Sequence, residues 1–176
     1  DPITKNFDPA VESATWHRAD NRIYITASDE VYTRLFAWDA SDRIFKPIKT
    51  IPDNMSGLSM AANKLVAVYS GTSKSKHNRA WIADIEKGET RLFDNPEAQS
   101  YSKVKFGKDE DWNFKMPDGR EIKGYMMYPV DFDPSKKYPL IVNYYGGTSP
   151  VEKSFGGRYP MEIWAANGYL VFVPQP

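Results

Sequence analysis

Three consecutive residues carry the clearest chemical suggestion in this sequence: Tyr145, Gly146 and Gly147, which follow the apolar run Leu140-Ile141-Val142-Asn143-Tyr144. A tyrosine at the C-terminal end of a parallel strand stands at the edge of the sheet where α/β proteins bind their ligands. Glycines after it let the backbone turn away sharply and let a substrate approach closely. A phenolic O–H at that edge can donate to a developing oxyanion, a contact of the kind that contributes about 2.7–4 kcal/mol to a transition state. A strand-end tyrosine can equally pack and hydrogen-bond locally, and one position alone does not choose between the two.

The other reactive residue types form no complete site. Acyl transfer from a serine needs a nucleophile, a base and an orienting acid, and no G-x-S-x-G elbow occurs. Gly147-Thr148-Ser149-Pro150-Val151 lacks the second glycine and lies where an oxyanion loop belongs, so Ser149 reads as a turn hydroxyl. The two histidines, His17 and His77, lie far apart and both among polar residues. His77 falls within Gly71–Arg79, which reads as a basic, flexible, solvated connection. Two such histidines without an acidic spacing motif leave a metal's ligand count unmet. The glycines at 146 and 147 are not followed by a phosphate-loop signature. Neither metal nor cofactor is expected.

Composition narrows the partners. Lys plus Arg equal Asp plus Glu, 23 against 23, so net charge gives no reason to expect nucleic acid or an anionic membrane. The strongest apolar run, Tyr169–Val173, is far short of the roughly 20 residues that span a bilayer. There is no cysteine, which excludes disulfides and zinc–thiolate sites but leaves the compartment open.

The elements that must position Tyr145 fall into two textures meeting near residue 110. Before it, short β-branched and aromatic runs recur: Arg22–Thr26, Thr33–Trp38, Ile44–Ile48, then Leu58–Met60, Lys64–Tyr69, Arg79–Asp84 and Thr90–Phe93. Aligning Ile23-Tyr24-Ile25 with Val66-Ala67-Val68 gives a period of about 43 residues, the length of a four-stranded propeller blade. Two such units are visible; a small β-sandwich would show similar strand spacing.

After residue 110, Asp111–Lys115 and Ile122–Tyr128 read as antiparallel strands joined through Pro117-Asp118-Gly119, strong turn chemistry. Leu140–Tyr144 is a continuous apolar run that suits a strand covered on both faces. A helix is predicted from Pro160 to Asn167, with Gly168 as its stop and Met161, Trp164 and Ala165 on one apolar face. Tyr169–Val173 follows as a second buried-type strand, completing a βαβ unit. A parallel strand there would leave an edge and two apolar faces open, which predicts that the sheet continues past Pro176.

Trp112-Asn113-Phe114, Asp118–Tyr125, Phe132-Asp133-Pro134, Lys136–Val142, Tyr145-Gly146-Gly147 and Ala165–Tyr169 together resemble the entry to the catalytic domain of the prolyl oligopeptidase family. Its dipeptidyl peptidase IV and acylaminoacyl-peptidase branches are the most similar. The resemblance is close over residues 110–176 and looser over the preceding repeats. It implies a mixed fold: all-β antiparallel propeller blades, about two of them, over residues 1–108, then the N-terminal part of an α/β-hydrolase fold over 109–176.

It further implies that the intact protein is a serine peptidase acting on peptides through an acyl-enzyme, with Tyr145 as one oxyanion donor and Gly146 and Gly147 in the substrate loop. The serine, acid and histidine are then expected beyond Pro176, and the chain alone is expected to be inactive. Thr148 departs from the proline common in the family, which leaves the shape of the adjacent loop open. A non-catalytic propeller-type module and an esterase on the same fold are the competing readings. A homodimer of the intact enzyme is left open, and the resemblance tilts the compartment towards periplasm or secretion.

Overall fold

The computed structural model describes residues 2–52, 54–146 and 152–175. The first half is one eight-stranded sheet made of two four-stranded antiparallel units. The first unit comprises β1 (Ala10–His17), β2 (Arg22–Asp29), β3 (Tyr32–Trp38) and β4 (Phe45–Ile48). The second comprises β5 (Asn54–Met60), β6 (Val66–Ser73), β7 (Lys76–Asp84) and β8 (Glu89–Asp94). Within each unit, every strand pairs antiparallel with the next. β2 opens at Arg22 and β6 at Val66, β3 at Tyr32 and β7 at Lys76, so the repeat expected from the sequence is the repeat of the fold.

The units meet where Thr33 of β3 lies beside Asn54 of β5 in parallel sense. The buried Asn54 side chain accepts a hydrogen bond from the Thr33 N–H at 2.7 Å. Behind this contact Tyr24, Leu35, Ala37, Met55, Tyr69 and Ala83 form a shared core. Side chains alternate across a strand, so the neighbouring positions Ile25, Ala27 and Phe36 build a second core on the other face. The outer strands bury little: β1 is exposed except for His17, and β8 is exposed along nearly its whole length.

After a one-turn helix α1 (Ala98–Tyr101), the second sheet is built from β9 (Asp109–Asp111), β10 (Phe114–Lys115), β11 (Glu121–Met127), β12 (Leu140–Val142) and β13 (Leu170–Gln175). β9 and β10 lie antiparallel to β11 in turn. They are separate strands because the Asn113 side chain, not the backbone, accepts the Gly124 N–H. The predicted turn closes through the Gly119 N–H to the Met116 carbonyl at 2.9 Å, with Gly119 at φ 87°. β13 pairs antiparallel with β11 and parallel with β12.

Helix α2 (Met161–Ala166) lays Met161, Trp164 and Ala165 on the sheet, as its periodicity predicts. It ends in a Schellman motif: Tyr169 N–H bonds the Trp164 carbonyl and Gly168 N–H that of Ala165, with Gly168 left-handed at φ 87°.

Two expectations need correction. Gly71–Arg79 is not a solvated connection: Gly71–Ser73 belong to β6 and Lys76–Arg79 to β7, and the hairpin they form meets Phe155 and also Glu162 of helix α2. Lys74 is only 2% exposed and His77 4%. Leu140 and Val142 are exposed, so β12 is not covered on both faces among the described residues. It lies at the end of its sheet with one paired neighbour, β13.

Candidate functional site

Tyr145 stands just past the carboxyl end of β12. The Asn143 N–H bonds the Phe172 carbonyl at 2.9 Å, carrying the pairing with β13 one residue beyond Val142. Past that bond the chain leaves the sheet, and Tyr145 is 59% exposed. Gly146 has no atom within 4 Å of where a Cβ would stand and is not in the left-handed region, so neither crowding nor backbone strain requires glycine there. Gly147, Ser149 and the rest of the segment to Val151 lie outside the described residues.

Both histidines are buried rather than solvated. His17 donates from Nε2 to the Ala61 carbonyl at 2.7 Å and sets its ring edge-on to Tyr24. His77 Nε2 lies 2.7 Å from Asn95 Oδ1, and its ring stacks on Tyr101 at 4.5 Å. His17 is held by neighbours from its own half of the chain, whereas the His77 ring also meets Phe155 of the other half edge-on at 6.4 Å. They lie in different strands, β1 and β7, and no described histidine stands at the edge where Tyr145 lies.

The residues that the sequence did not single out lie at the seam between the sheets. Val31, in the turn between β2 and β3, and Tyr32, which opens β3, pack with Tyr125, Met127, Met161, Ala165, Val171 and Val173 in one core. Into this core comes Lys153. Its N–H bonds the Val31 carbonyl at 2.9 Å, and its Nζ lies 3.0 Å from Asp109 and 3.1 Å from Asp111. Tyr32 donates its hydroxyl to Asp111, and the ammonium lies over the rings of Tyr32 and Tyr125 at 5.5 and 5.7 Å.

Burial disfavours the charge on Lys153, but hydrogen bonding and attraction to Asp109 and then Asp111 outweigh it and raise the pKa. Burial likewise opposes ionisation of Asp111, yet the Tyr32 hydroxyl and the Lys153 ammonium hold its carboxyl below the usual range. Beside them the Tyr125 phenol is pushed well above 10, first by burial and then by the acids Glu162, Asp109 and Glu152.

A second contact comes from the β6–β7 tip. Lys74 meets Glu162 of α2 at 3.4 Å, and the same carboxylate oxygen accepts the Gly156 N–H at 3.2 Å. Thr72 Oγ1 accepts the Phe155 N–H at 3.1 Å. The Phe155 ring lies edge-on to Tyr101 and Phe106.

No local pattern marks Lys153, and Glu162 reads as an ordinary acid in the first turn of a helix. Their partners lie far away in the chain, where spacing carries no signal. Chemically the seam is already committed, since Lys153 is engaged by two carboxylates. The cleft beside it, lined by Glu30, Tyr32, Asp111 and Lys123, holds only about 30 Å³, room for a water or two. Tyr145, by contrast, presents its phenol to solvent. Among the described residues no group of three or more His, Asp or Glu could hold a metal ion, and no helix is long and apolar enough to cross a membrane.

No family model matches the chain. It is similar to a probable dipeptidyl-peptidase 5 of Aspergillus niger, 26% identical over 99% of this chain and 24% of that protein. Its fold is similar to acylaminoacyl peptidase of Pyrococcus horikoshii, with a TM-score of 0.77 at 21% identity over 100% of this chain and 26% of that one. Dipeptidyl peptidase 4 of Porphyromonas gingivalis gives a TM-score of 0.67 at 17% identity, over 94% of this chain and 25% of that one. The chain thus spans about a quarter of the length of the curated relatives it matches. In sequence it is similar to dipeptidyl-peptidases 5, and in fold, propeller-like strands leading into an α/β-hydrolase sheet, it is similar to a segment of the enzymes of the prolyl oligopeptidase family.

Proposed function

We propose that this chain is the junction of a serine peptidase, residues 1–108 closing a β-propeller and 109–176 opening the α/β-hydrolase domain, with the Tyr145 phenol as an oxyanion donor. The observation that carries this reading is the exposed phenol at the carboxyl end of β12, beside the parallel strand β13. That is the edge where ligands meet such sheets.

The substrates are peptides, and the reaction is acyl transfer to a serine followed by hydrolysis. The names of the similar proteins support this, being dipeptidyl and acylaminoacyl peptidases. The nucleophile, acid and histidine come from outside residues 1–176; the missing G-x-S-x-G elbow and the quarter-length coverage of the relatives support that placement. By itself the chain hydrolyses no peptide.

The donor stabilises charge that appears only in the transition state. Tyr145→Phe in the intact protein therefore lowers kcat on the order of 10²-fold and changes KM little. Steady-state kinetics on a peptidyl substrate test this; an unchanged kcat returns Tyr145 to a packing role. Preference for peptidyl over simple ester substrates separates a peptidase from an esterase.

A further inference from the structure

We propose that Asn167 is a latent deamidation site: the Asn167–Gly168 step cyclises to a succinimide when the last turn of α2 opens, and the cap of that turn is what holds the reaction off. The proposal does not depend on the role of Tyr145.

This is the one Asn-Gly step in the sequence. In the reaction the Gly168 backbone nitrogen attacks Cγ of Asn167. A C–N bond forms, the Cγ–Nδ2 bond breaks, and the proton of the attacking nitrogen leaves with the side-chain amide as ammonia. Water then opens the five-membered imide at either carbonyl, leaving aspartate or isoaspartate. Neither an oxidant nor a reductant is needed. Glycine hinders the attack least of all residues, because it carries no Cβ.

Three features of the cap oppose the attack. The Asn167 ψ of 13° turns the Gly168 nitrogen towards the Asn167 nitrogen, whereas ring closure needs it to eclipse Cβ. The nucleophile is engaged, since the Gly168 N–H donates to the Ala165 carbonyl at 3.0 Å. The carboxamide is engaged too: Nδ2 donates to the Ile163 carbonyl at 2.7 Å, which draws the electrophile back along the helix.

Packing adds no further barrier. Asn167 is exposed, and among the described residues no atom beyond the adjoining ones lies within 4 Å of where a Gly168 Cβ would stand. The helix has only six residues and no side-chain cap at its start, and so short a helix opens more readily than the sheet beneath it. Opening frees ψ, the Gly168 N–H and the carboxamide together.

The reaction makes that opening permanent. An isoaspartate inserts a methylene into the main chain between α2 and β13, so the Gly168 and Tyr169 N–H groups no longer reach both the Ala165 and Trp164 carbonyls. An aspartate places negative charge at a helix C-terminus, where the dipole disfavours it.

The experiment follows Asn167 by peptide mass mapping of the intact protein at mildly alkaline pH, with the aspartate and isoaspartate peptides separated by chromatography. In concentrated urea the step reacts more than about 10-fold faster than in the folded protein. Ala166→Gly, at an exposed position of the same turn, raises the folded protein's rate by about 5-fold. It also quickens amide exchange at Gly168 without quickening it at Val171 of β13. Equal rates in folded and unfolded protein, or an unchanged rate in Ala166→Gly, overturn the proposal. So does a folded protein that yields no product at all. Should Ala166→Gly fail to fold, urea below the unfolding transition decides the matter with the native sequence. A rate that climbs ahead of global unfolding is expected, and one that rises only with global unfolding overturns the proposal.

Discussion

Lys74, at the tip of the β6–β7 hairpin, and Glu162, in the first turn of α2, face each other at 3.4 Å with the lysine 2% exposed and the glutamate 9%. One comes from a hairpin of the first sheet and the other from the helix that packs on the second. Burial pulls the Lys74 pKa down, and attraction to Glu162 recovers only part of the fall. Among the described residues Glu162 Oε2 has no hydrogen-bond partner. A pair with this geometry contributes little net stability, because removing two charges from water roughly cancels their attraction. It does penalise any docking of the sheets that separates the two charges.

Removing one partner should therefore hurt more than removing the charge from both. Lys74→Met leaves Glu162 buried and unpaired and lowers stability by about 3–5 kcal/mol. Adding Glu162→Gln, which still accepts the Gly156 N–H, recovers most of that loss. Urea unfolding of the intact protein measures both, and a double variant as weak as the single one would contradict the argument.

Alkaline stability should report on Tyr125. Its phenol is held above the ordinary value of 10, chiefly by burial. The unfolded chain loses that proton near pH 10 while the folded chain keeps it. The stability it provides is therefore complete below pH 10 and declines as pH rises, by about 1.4 kcal/mol per pH unit for one such group. Thermal unfolding between pH 9 and about 11.5 should show a shallower decline for Tyr125→Phe than for the native protein; parallel curves would refute the assignment.

Gly124 is a position where β11 tolerates no side chain. A Cβ there would stand 2.4 Å from the Val173 carbonyl oxygen and 3.0 Å from the Pro174 Cα, both backbone atoms of the paired strand. Gly124→Ala must push β13 away from β11, a change on the order of 1–3 kcal/mol or more. Gly119→Ala is a different case, strained by its φ of 87° but with open space around it. Denaturation of the two variants should show broadened or lost cooperativity in the first and a simple shift in the second.

Asn54 is the hydrogen-bond link between the four-stranded units. Asn54→Ala leaves the Thr33 N–H buried without its acceptor, at a cost of about 1–3 kcal/mol. Faster amide exchange at Thr33 than at Leu35, which lies in the same strand, would confirm a local effect; uniform acceleration would point to general loosening.

How much of this was legible beforehand follows from where each element buries its side chains. β2, β3, β6 and β7 were readable because they face a core and their residues must alternate. β1 was missed because only His17 of its eight residues is buried, so no pattern is imposed on the rest. The hairpin tip from Gly71 to Arg79 misled for the opposite reason: its polar residues look solvated, but their partners are Glu162, Asn95 and Phe155, and only folding brings those near.

Local sequence by itself determined the two-unit repeat, the Pro-Asp-Gly turn, the βαβ order and the place of Tyr145 at a strand end. Each depends on neighbours within a few residues or on a short period. Tertiary structure alone decided the seam: Lys153 with Asp109 and Asp111, Lys74 with Glu162, and both histidines buried. Those contacts join residues far apart in the chain, and a charge shows whether it is solvated or paired only once the sheets have closed around it.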